Sequence, residues 1–244
     1  MSDSLVIIPT YNEKENIEKI LRTVLSLEKE FDVLVVEDNS PDGTADIVRR
    51  LMEEYPGQLY MEERRAKLGL GTAYIHGFKC ALAKDYEYIF EMDADFSHNP
   101  TDLIRLYDAC AIQGADLAVG SRYIKGVNVV NWPMGRILMS YYASAYVRLV
   151  TRIKVRDTTA GFVCYTRKVL EAINLDRIRF IGYAFQIEMK YTAWKLGFNI
   201  FEVPIIFTDR TEGTSKMSKK IFKEAIFGVM SLRFRNIRKI HGRK

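Results

Sequence analysis

An α/β protein built on a mostly parallel central sheet flanked by helices is the fold this sequence predicts. Over the first 120 residues, short apolar runs alternate with helical patterns. Several runs are near-continuous Val, Ile and Leu, as in strands covered on both faces. The stretches between them place apolar residues three and four apart, the spacing of a helix with one buried side. Such alternation means βαβ units joined by right-handed crossovers.

The elements follow in order. Residues 5–9 read as the first strand, and 13–27 as a helix with Ile17, Ile20, Leu21, Val24 and Leu25 on one side. Strand 31–37 leads to helix 44–55, strand 58–62 to helix 71–83, and strand 86–93 to helix 100–112, before a strand at 115–120. Beyond Gly120 the pattern changes to a long helix at 133–152, a strand-like 161–166, a helix near 185–196, a strand at 198–207 and a further helix from about 218. Ligands of parallel sheets bind beyond the carboxyl ends of the strands. That rule singles out Pro9–Glu13, Glu37–Gly43 and Asp93–Ser97.

Composition narrows the class. With 48% hydrophobic, 12% aromatic and 27% charged residues in 244, the chain has an ordinary globular make-up. Roughly 70–75% of its extended surface can be buried at this size, so no disulfide or metal staple is required. Cys80, Cys110 and Cys164 are odd in number and lack a Cys-x-x-Cys pair, which reads as reduced thiols in the cytoplasm. His76, His98 and His241 are not at zinc-ligand spacing, and the expectation is that there is no His/Cys metal site. No apolar run reaches the ~18–20 residues of a membrane span, and the N-terminus lacks signal-peptide character. The net charge is +5, but ten basic residues and Glu224 give 216–244 a charge of +9, leaving −4 on the rest by subtraction. A basic tail on a mildly acidic body suits an anionic surface, lipid headgroups or nucleic acid.

Asp93-Ala94-Asp95, ending an apolar strand, is the strongest chemical signal. In extended backbone, residues two apart point the same way, so both carboxylates can converge on one hard cation. Capping of the helix opened by Pro100, through Asp95 or Ser97, is the competing explanation. Glu37-Asp38 closes the second strand before a turn-rich Asn39–Gly43; a base or ribose donor would satisfy two acids there. Pro9-Thr10-Tyr11-Asn12-Glu13 offers an aromatic that could lie along a nucleobase. Lys67–Gly71 matches neither a P-loop nor a dinucleotide fingerprint and reads as a structural turn.

IPTYNEKENI, VEDNSPDGTADIV, KLGLGTAYIHGF, MDADFSHNP, GSRY, TAGF, YAFQIEM and VPIIFTDRTEGTSKM occur in that order. Together they resemble family 2 glycosyltransferases of GT-A fold, and among these the dolichol-phosphate (polyprenol-phosphate) mannosyltransferases. The resemblance implies a catalytic domain over 1–215 that transfers mannose from GDP-mannose to a membrane polyprenyl phosphate, with inversion and with magnesium or manganese as cofactor. Pro9, Tyr11, Glu13, Val36 and Asp38 match nucleoside-contacting positions. Asp93, Ala94 and Asp95 match the metal–diphosphate motif, with Asp95 the direct ligand and Ser97 where some relatives place a second metal-side Gln. Arg122, Arg136, Arg210 and Lys216 match cationic positions around the donor diphosphate and acceptor phosphate, and Ser140 joins Arg136 at the acceptor. Many relatives read D-x-T-S-G-F-R where this chain has Asp157-Thr158-Thr159-Ala160-Gly161-Phe162-Val163. Many also carry membrane spans or rely on a membrane-anchoring subunit, a candidate partner here.

An ionised phosphate acceptor requires no strong general base, so the lack of a catalytic histidine motif is no objection. Positive charge and positioning suffice. In helix 133–152, Arg136, Ser140, Ser144, Arg148 and Arg152 recur every four residues, opposite Ile137, Leu138, Tyr141 and Ala145. Either that helix or the tail, with Ile221, Phe222, Ala225, Ile226, Val229 and Met230 among its basic residues, is suited to a membrane surface at the cytoplasmic face. Packing of the apolar side against a core is the alternative for both. A UDP-sugar donor is the nearest rival function. A noncatalytic nucleic-acid-binding module is a remote one, since no recognition-helix, RNP or zinc-finger pattern is present.

Overall fold

A computed structural model describes residues 2–182, 184–209 and 228–241. The strands are β1 (Ser4–Thr10), β2 (Asp32–Glu37), β3 (Leu59–Glu63), β4 (Tyr88–Glu91), β5 (Leu117–Ser121), β6 (Val129–Val130), β7 (Val163–Thr166), β8 (Ile200–Pro204) and β9 (Phe207–Thr208). The helices are α1 (Ile17–Leu25), α2 (Thr44–Glu54), α3 (Leu70–Leu82), α4 (Asp102–Ala111), α5 (Met134–Thr151), α6 (Arg167–Ala172), α7 (Ala184–Leu196) and α8 (Ile237–His241), with residues 228–234 also helical. Seven strands form the main sheet in the order β3-β2-β1-β4-β7-β5-β8. Of these, β7 runs antiparallel to both neighbours and the other pairings are parallel. The sheet is therefore mostly parallel, as expected. The single strand anticipated over 198–207 is divided: β8 stays in the main sheet, while β9 leaves it to pair with β6.

The near-continuous apolar strands are covered on both faces. Val6, Ile8, Val33, Val35 and Phe90 pack with Ile17, Ile20, Leu21 and Val24 of α1, Val48 of α2 and Leu103 and Leu106 of α4. The alternate residues Leu5, Ile7, Leu34, Val36 and Ile89 pack with Tyr74 and Phe78 of α3, Leu170 of α6 and Phe185 and Met189 of α7. The side-chain period of two thus divides each strand between two apolar layers. Helix α3 lies so close to β1 that a Cβ on Gly77 would come within 2.7 Å of Ile7.

A third cluster joins α5, α7 and the last described residues: Val147, Ile153 and Val155 meet Ile187, Tyr191, Val229, Leu232 and Ile237. Of the six apolar residues assigned to one side of the tail helix, four lie outside the described residues. Val229 is buried in this cluster, whereas Met230 is exposed.

Helix α5 turns small polar residues inward. Ser144 and Thr151 are fully buried, Thr151 donating its hydroxyl to the Val147 carbonyl at 2.6 Å. Leu138, Met139, Tyr141, Tyr142 and Leu149 are exposed, Leu149 to 81%. The small polar residues face inward because they let the helix approach its neighbours, and part of the apolar side is left to the surface. Core packing of the apolar side is overturned for this helix.

Candidate active site

The parallel strand ends bring three loops to one edge of the sheet. In the β1–β2 ladder Pro9 pairs with Val36 and Thr10 with Glu37, which puts Tyr11, Glu13 and Asp38 just beyond adjacent strand ends. The loops then lock together. Asn12, Glu13 and Lys14 donate backbone N–H groups to Ser40 Oγ (3.0 Å), Thr44 Oγ1 (3.1 Å) and Asp42 Oδ2 (3.1 Å). Asn12 and Asn39 adopt left-handed φ of 60° and 59°, which Asn tolerates better than most residues.

The two acids at the end of β2 have protein partners. Glu37 accepts from the backbone N–H of Asn39 and Ser40 at 2.7 and 2.8 Å. Asp38 is chelated by Arg64, whose Nε and Nη2 donate at 2.6 and 2.7 Å, while Arg64 Nη1 donates to Thr72 Oγ1 at 2.8 Å. Donors within the chain thus satisfy the two acids for which a base or ribose was expected. Arg64 was hidden in the Glu62-Glu63-Arg64-Arg65 charge run. Burial pushes the Asp38 carboxyl up, with Arg64 opposing it. Lys67 lies over the Tyr11 ring at 4.3 Å, a cation–π contact that places a positive charge beside the same loops. The Lys67–Gly71 turn is structural as expected: Gly69 has φ 104°, and a Cβ on Gly71 would meet Phe185 at 2.8 Å.

At the end of β4 the chain turns sharply. Phe96 has φ 57°, a strained conformation for a bulky residue, costing about 1–2 kcal/mol. The turn points Ser97 N–H at Asp95 Oδ1, 3.0 Å away. Asp95 and Ser97 are buried, and Ser97 Oγ has no hydrogen-bond partner among the described residues. A buried hydroxyl left unsatisfied beside a carboxylate is costly in a folded chain. This donor set, carboxylate and hydroxyl oxygens, fits a hard divalent cation. Tyr74 Oη lies 3.5 Å from Asp93 Oδ1, and burial, then the Asp93 charge, push its phenol well above the usual range.

One cavity of about 410 Å³ connects this turn to α5 and α7. Asp93, Asp95, Ser97, Arg122, Arg136 and Ser140 all line it. Pro9, Tyr11, Glu13, Val36, Asp38 and Ala94 do not, and Arg210 and Lys216 lie outside the described residues. Arg122 follows β5 and is held by Asp157, Nε and Nη2 each donating at 2.7 Å, with Nη2 also reaching Thr159 Oγ1 at 2.8 Å. Burial pushes the Asp157 carboxyl up, but Arg122 outweighs it and holds the group below the usual carboxylate range. Arg136, in the first turn of α5, pairs with Asp209 at 2.7 Å and lies over the Trp132 ring at 4.2 Å. Ser140, one turn further, accepts from the Tyr123 hydroxyl at 2.7 Å. Apolar lining comes from Met139, Tyr142, Ala143 and Tyr146 of α5, Ile187 of α7 and Val229.

A buried polar chain lies behind the Asp93 strand end. Lys190 Nζ donates to the Ala160 carbonyl at 2.6 Å and to Gln186 Oε1 at 3.2 Å, and Gln186 Nε2 donates to Glu91 Oε2 at 2.7 Å. Burial raises the Glu91 carboxyl and lowers the Lys190 ammonium, each opposed by the other's charge. Gln186 also lines the cavity. Gln186 and Asp157 lie in strings singled out in the sequence and Glu91 in the predicted strand 86–93, yet none had an expected role; no local pattern pairs groups 95 or 35 positions apart. His98 is buried and stacked on Phe162 at 4.8 Å, and burial takes its pKa down to about 4, so it is neutral near pH 7.

A glycosyl transferase family 2 model matches residues 5–173. The chain belongs to that family. Over 93% of its length it is 45% identical to a polyprenol monophosphomannose synthase from Mycolicibacterium smegmatis, covering 85% of that protein. Over 92% it is 44% identical to an undecaprenyl-phosphate mannosyltransferase from Micrococcus luteus, covering 91% of it. Among solved structures it superposes on a Pyrobaculum calidifontis mannosyltransferase in complex with GDP-Man and Mn²⁺, with a TM-score of 0.61, 18% identity and coverage of 96% of this chain and 70% of that one. Against Mycobacterium tuberculosis glucosyl-3-phosphoglycerate synthase in complex with Mn²⁺, UDP and phosphoglyceric acid the TM-score is 0.66, at 16% identity and coverage of 99% and 79%. The fold is thus the GT-A fold, and the protein is a glycosyltransferase.

Proposed function

We propose that this glycosyltransferase moves mannose, with inversion, from GDP-mannose to a polyprenyl phosphate at a membrane surface. One observation carries the reading: a single cavity is lined by hard oxygen donors, by two acid-paired arginines and by apolar side chains of α5 and α7. A sugar nucleotide needs the oxygen donors and cations, and an isoprenyl chain the apolar lining. The names of the two relatives near 45% identity support the same donor sugar and acceptor, and the Pyrobaculum complex supports a guanine nucleotide with a divalent ion.

Asp95, with Asp93 and Ser97 beside it, would hold the magnesium or manganese ion, which when bound supplies charge neutralisation for the departing diphosphate. Pro9, Tyr11, Glu13, Val36 and Asp38 would border the nucleoside, with Ala94, Arg122, Arg210 and Lys216 toward the diphosphate. Arg136 and Ser140, four apart on α5, face the acceptor phosphate together. An acceptor oxygen forms the new bond to the anomeric carbon from the side opposite the GDP leaving group. Phosphate is already ionised at neutral pH, so no side chain has to take a proton. Asp157 and Asp209 fix the two guanidinium planes, which limits the reorganisation needed as the leaving diphosphate gains charge.

Among the described residues no helix is long and apolar enough to cross a membrane. The exposed Leu138, Tyr141, Tyr142 and Leu149 of α5, with Met230 and Phe234, support peripheral contact with the acceptor's membrane, where aromatic and aliphatic side chains enter the headgroup boundary. The reading takes 1–215 as the catalytic domain and the basic residues of 216–244 as an addition to this membrane side.

The test is transfer itself: purified protein, vesicles carrying undecaprenyl phosphate, and GDP-mannose or UDP-glucose, with Mg²⁺, Mn²⁺ or chelator. Mannolipid formed from GDP-mannose and lost with chelator is the expected result. Glucolipid from UDP-glucose alone would replace the donor, and no lipid product from either would overturn the acceptor.

A further inference from the structure

Glu62, His76 and Cys80 form a second group of ligating side chains, and none of them lines the cavity described above. Glu62 lies on β3, an edge strand of the main sheet, and His76 and Cys80 are four apart on α3, hence on one side of that helix. His76 Nε2 is 3.2 Å from Glu62 Oε2 and 3.8 Å from Cys80 Sγ, and the three ligand atoms all lie within 4.8 Å of one another. Tetrahedral zinc, with bonds of about 2.0–2.1 Å to nitrogen, 2.3 Å to sulfur and 2.0–2.2 Å to oxygen, sets its ligand atoms roughly 3.3–3.6 Å apart. The His76 distances are already within a few tenths of an ångström of those edges.

We propose that Glu62, His76 and Cys80 bind a borderline-soft transition metal of the Zn²⁺ class, leaving one coordination position to water. This revises the expectation that no His/Cys metal site exists: no zinc-ligand spacing was noted among the histidines, while His76 and Cys80, one helical turn apart, meet Glu62 only through the β3–α3 packing. A thiolate with an imidazole selects Zn²⁺ or Co²⁺ over the Mg²⁺ or Mn²⁺ suited to the oxygen donors around Asp95. Cys80 would bind the metal as its thiolate, so metal entry releases a proton and binding strengthens as pH rises. Thr72 lies one turn before His76 and accepts from Arg64, which chelates Asp38. Occupancy therefore ties β3 to α3 beside the Arg64–Asp38 pair; the role is to brace that strand–helix contact, with no part in the transfer step.

Co²⁺ added to the full chain is the direct probe. A thiolate-to-cobalt charge-transfer band at one equivalent is expected in the wild type and in Asp95→Asn, and its loss in Cys80→Ser. Competition with a zinc-sensitive chelator should show at least a tenfold weaker Zn²⁺ affinity for His76→Ala and for the surface variant Glu62→Gln, which disturbs no packing. No band, or a band and affinity unchanged in Cys80→Ser and Glu62→Gln, would overturn the site and leave His76 and Glu62 as a hydrogen-bonded pair.

Discussion

Asp157 shows how much a single residue can carry without being visible in the sequence. It sits 35 positions from Arg122, receives three of that residue's N–H groups, and is fully buried. Asp157→Ala leaves a guanidinium buried without its counter-ion, a loss of about 3–5 kcal/mol. Chemical denaturation should show that loss, together with reduced transfer. Because Arg122 holds its carboxyl below the usual carboxylate range in the folded state, Asp157 stabilises the fold at neutral pH, and the contribution disappears as pH falls through that depressed value. Wild-type melting temperature should fall more steeply than that of Asp157→Asn on acidification through pH 4 to 3; equal slopes would deny Asp157 this part. The Asp93-x-Asp95 signal was legible because strand-end carboxylates are a local pattern. Arg64 on Asp38, Asp209 on Arg136 and Lys190 on the Ala160 carbonyl were not, because each pairing depends on where distant strands and helices land.

At the scale of elements, the sequence was most informative where one element buries itself in one way. β1, β2 and β4 read as apolar runs because helices cover both faces, and α1 read as amphipathic because one side meets the sheet. Helix α7 packs from Ala184 through Ala193 in buried surroundings, its charged Glu188 and Lys190 included, so no single apolar side identifies it. The antiparallel insertion of β7 was unreadable, since a four-residue apolar strand carries no mark of direction. Helix α5 was located, and its exposed Leu138, Tyr141 and Leu149 exclude the core-packing alternative for that side; this orientation has consequences. Leu138→Glu with Leu149→Glu should change stability by less than about 0.5 kcal/mol per site, as exposed positions do, while weakening association of the full chain with anionic vesicles several-fold. Undiminished flotation with vesicles would move membrane contact away from α5.

At the scale of the whole molecule, the sheet collects strand-end loops along one edge, and α5 with α7 and the final described helices adds apolar side chains; the proposed function gives the first to the sugar nucleotide and the second to the lipid. The two arginines in the cavity each carry an acid, so they contribute orientation more than net charge. The central claim is that the reacting phosphate and the first isoprene units share one cavity. Its most direct test is the KM for isoprenyl phosphates of increasing length, from dimethylallyl through geranyl to farnesyl phosphate, at saturating GDP-mannose and metal. Each buried methylene contributes about 0.8 kcal/mol, so KM should fall steeply over the first units and level off once the cavity is filled. A KM independent of chain length would contradict the account, placing the lipid outside the cavity and leaving the phosphate as the only group recognised.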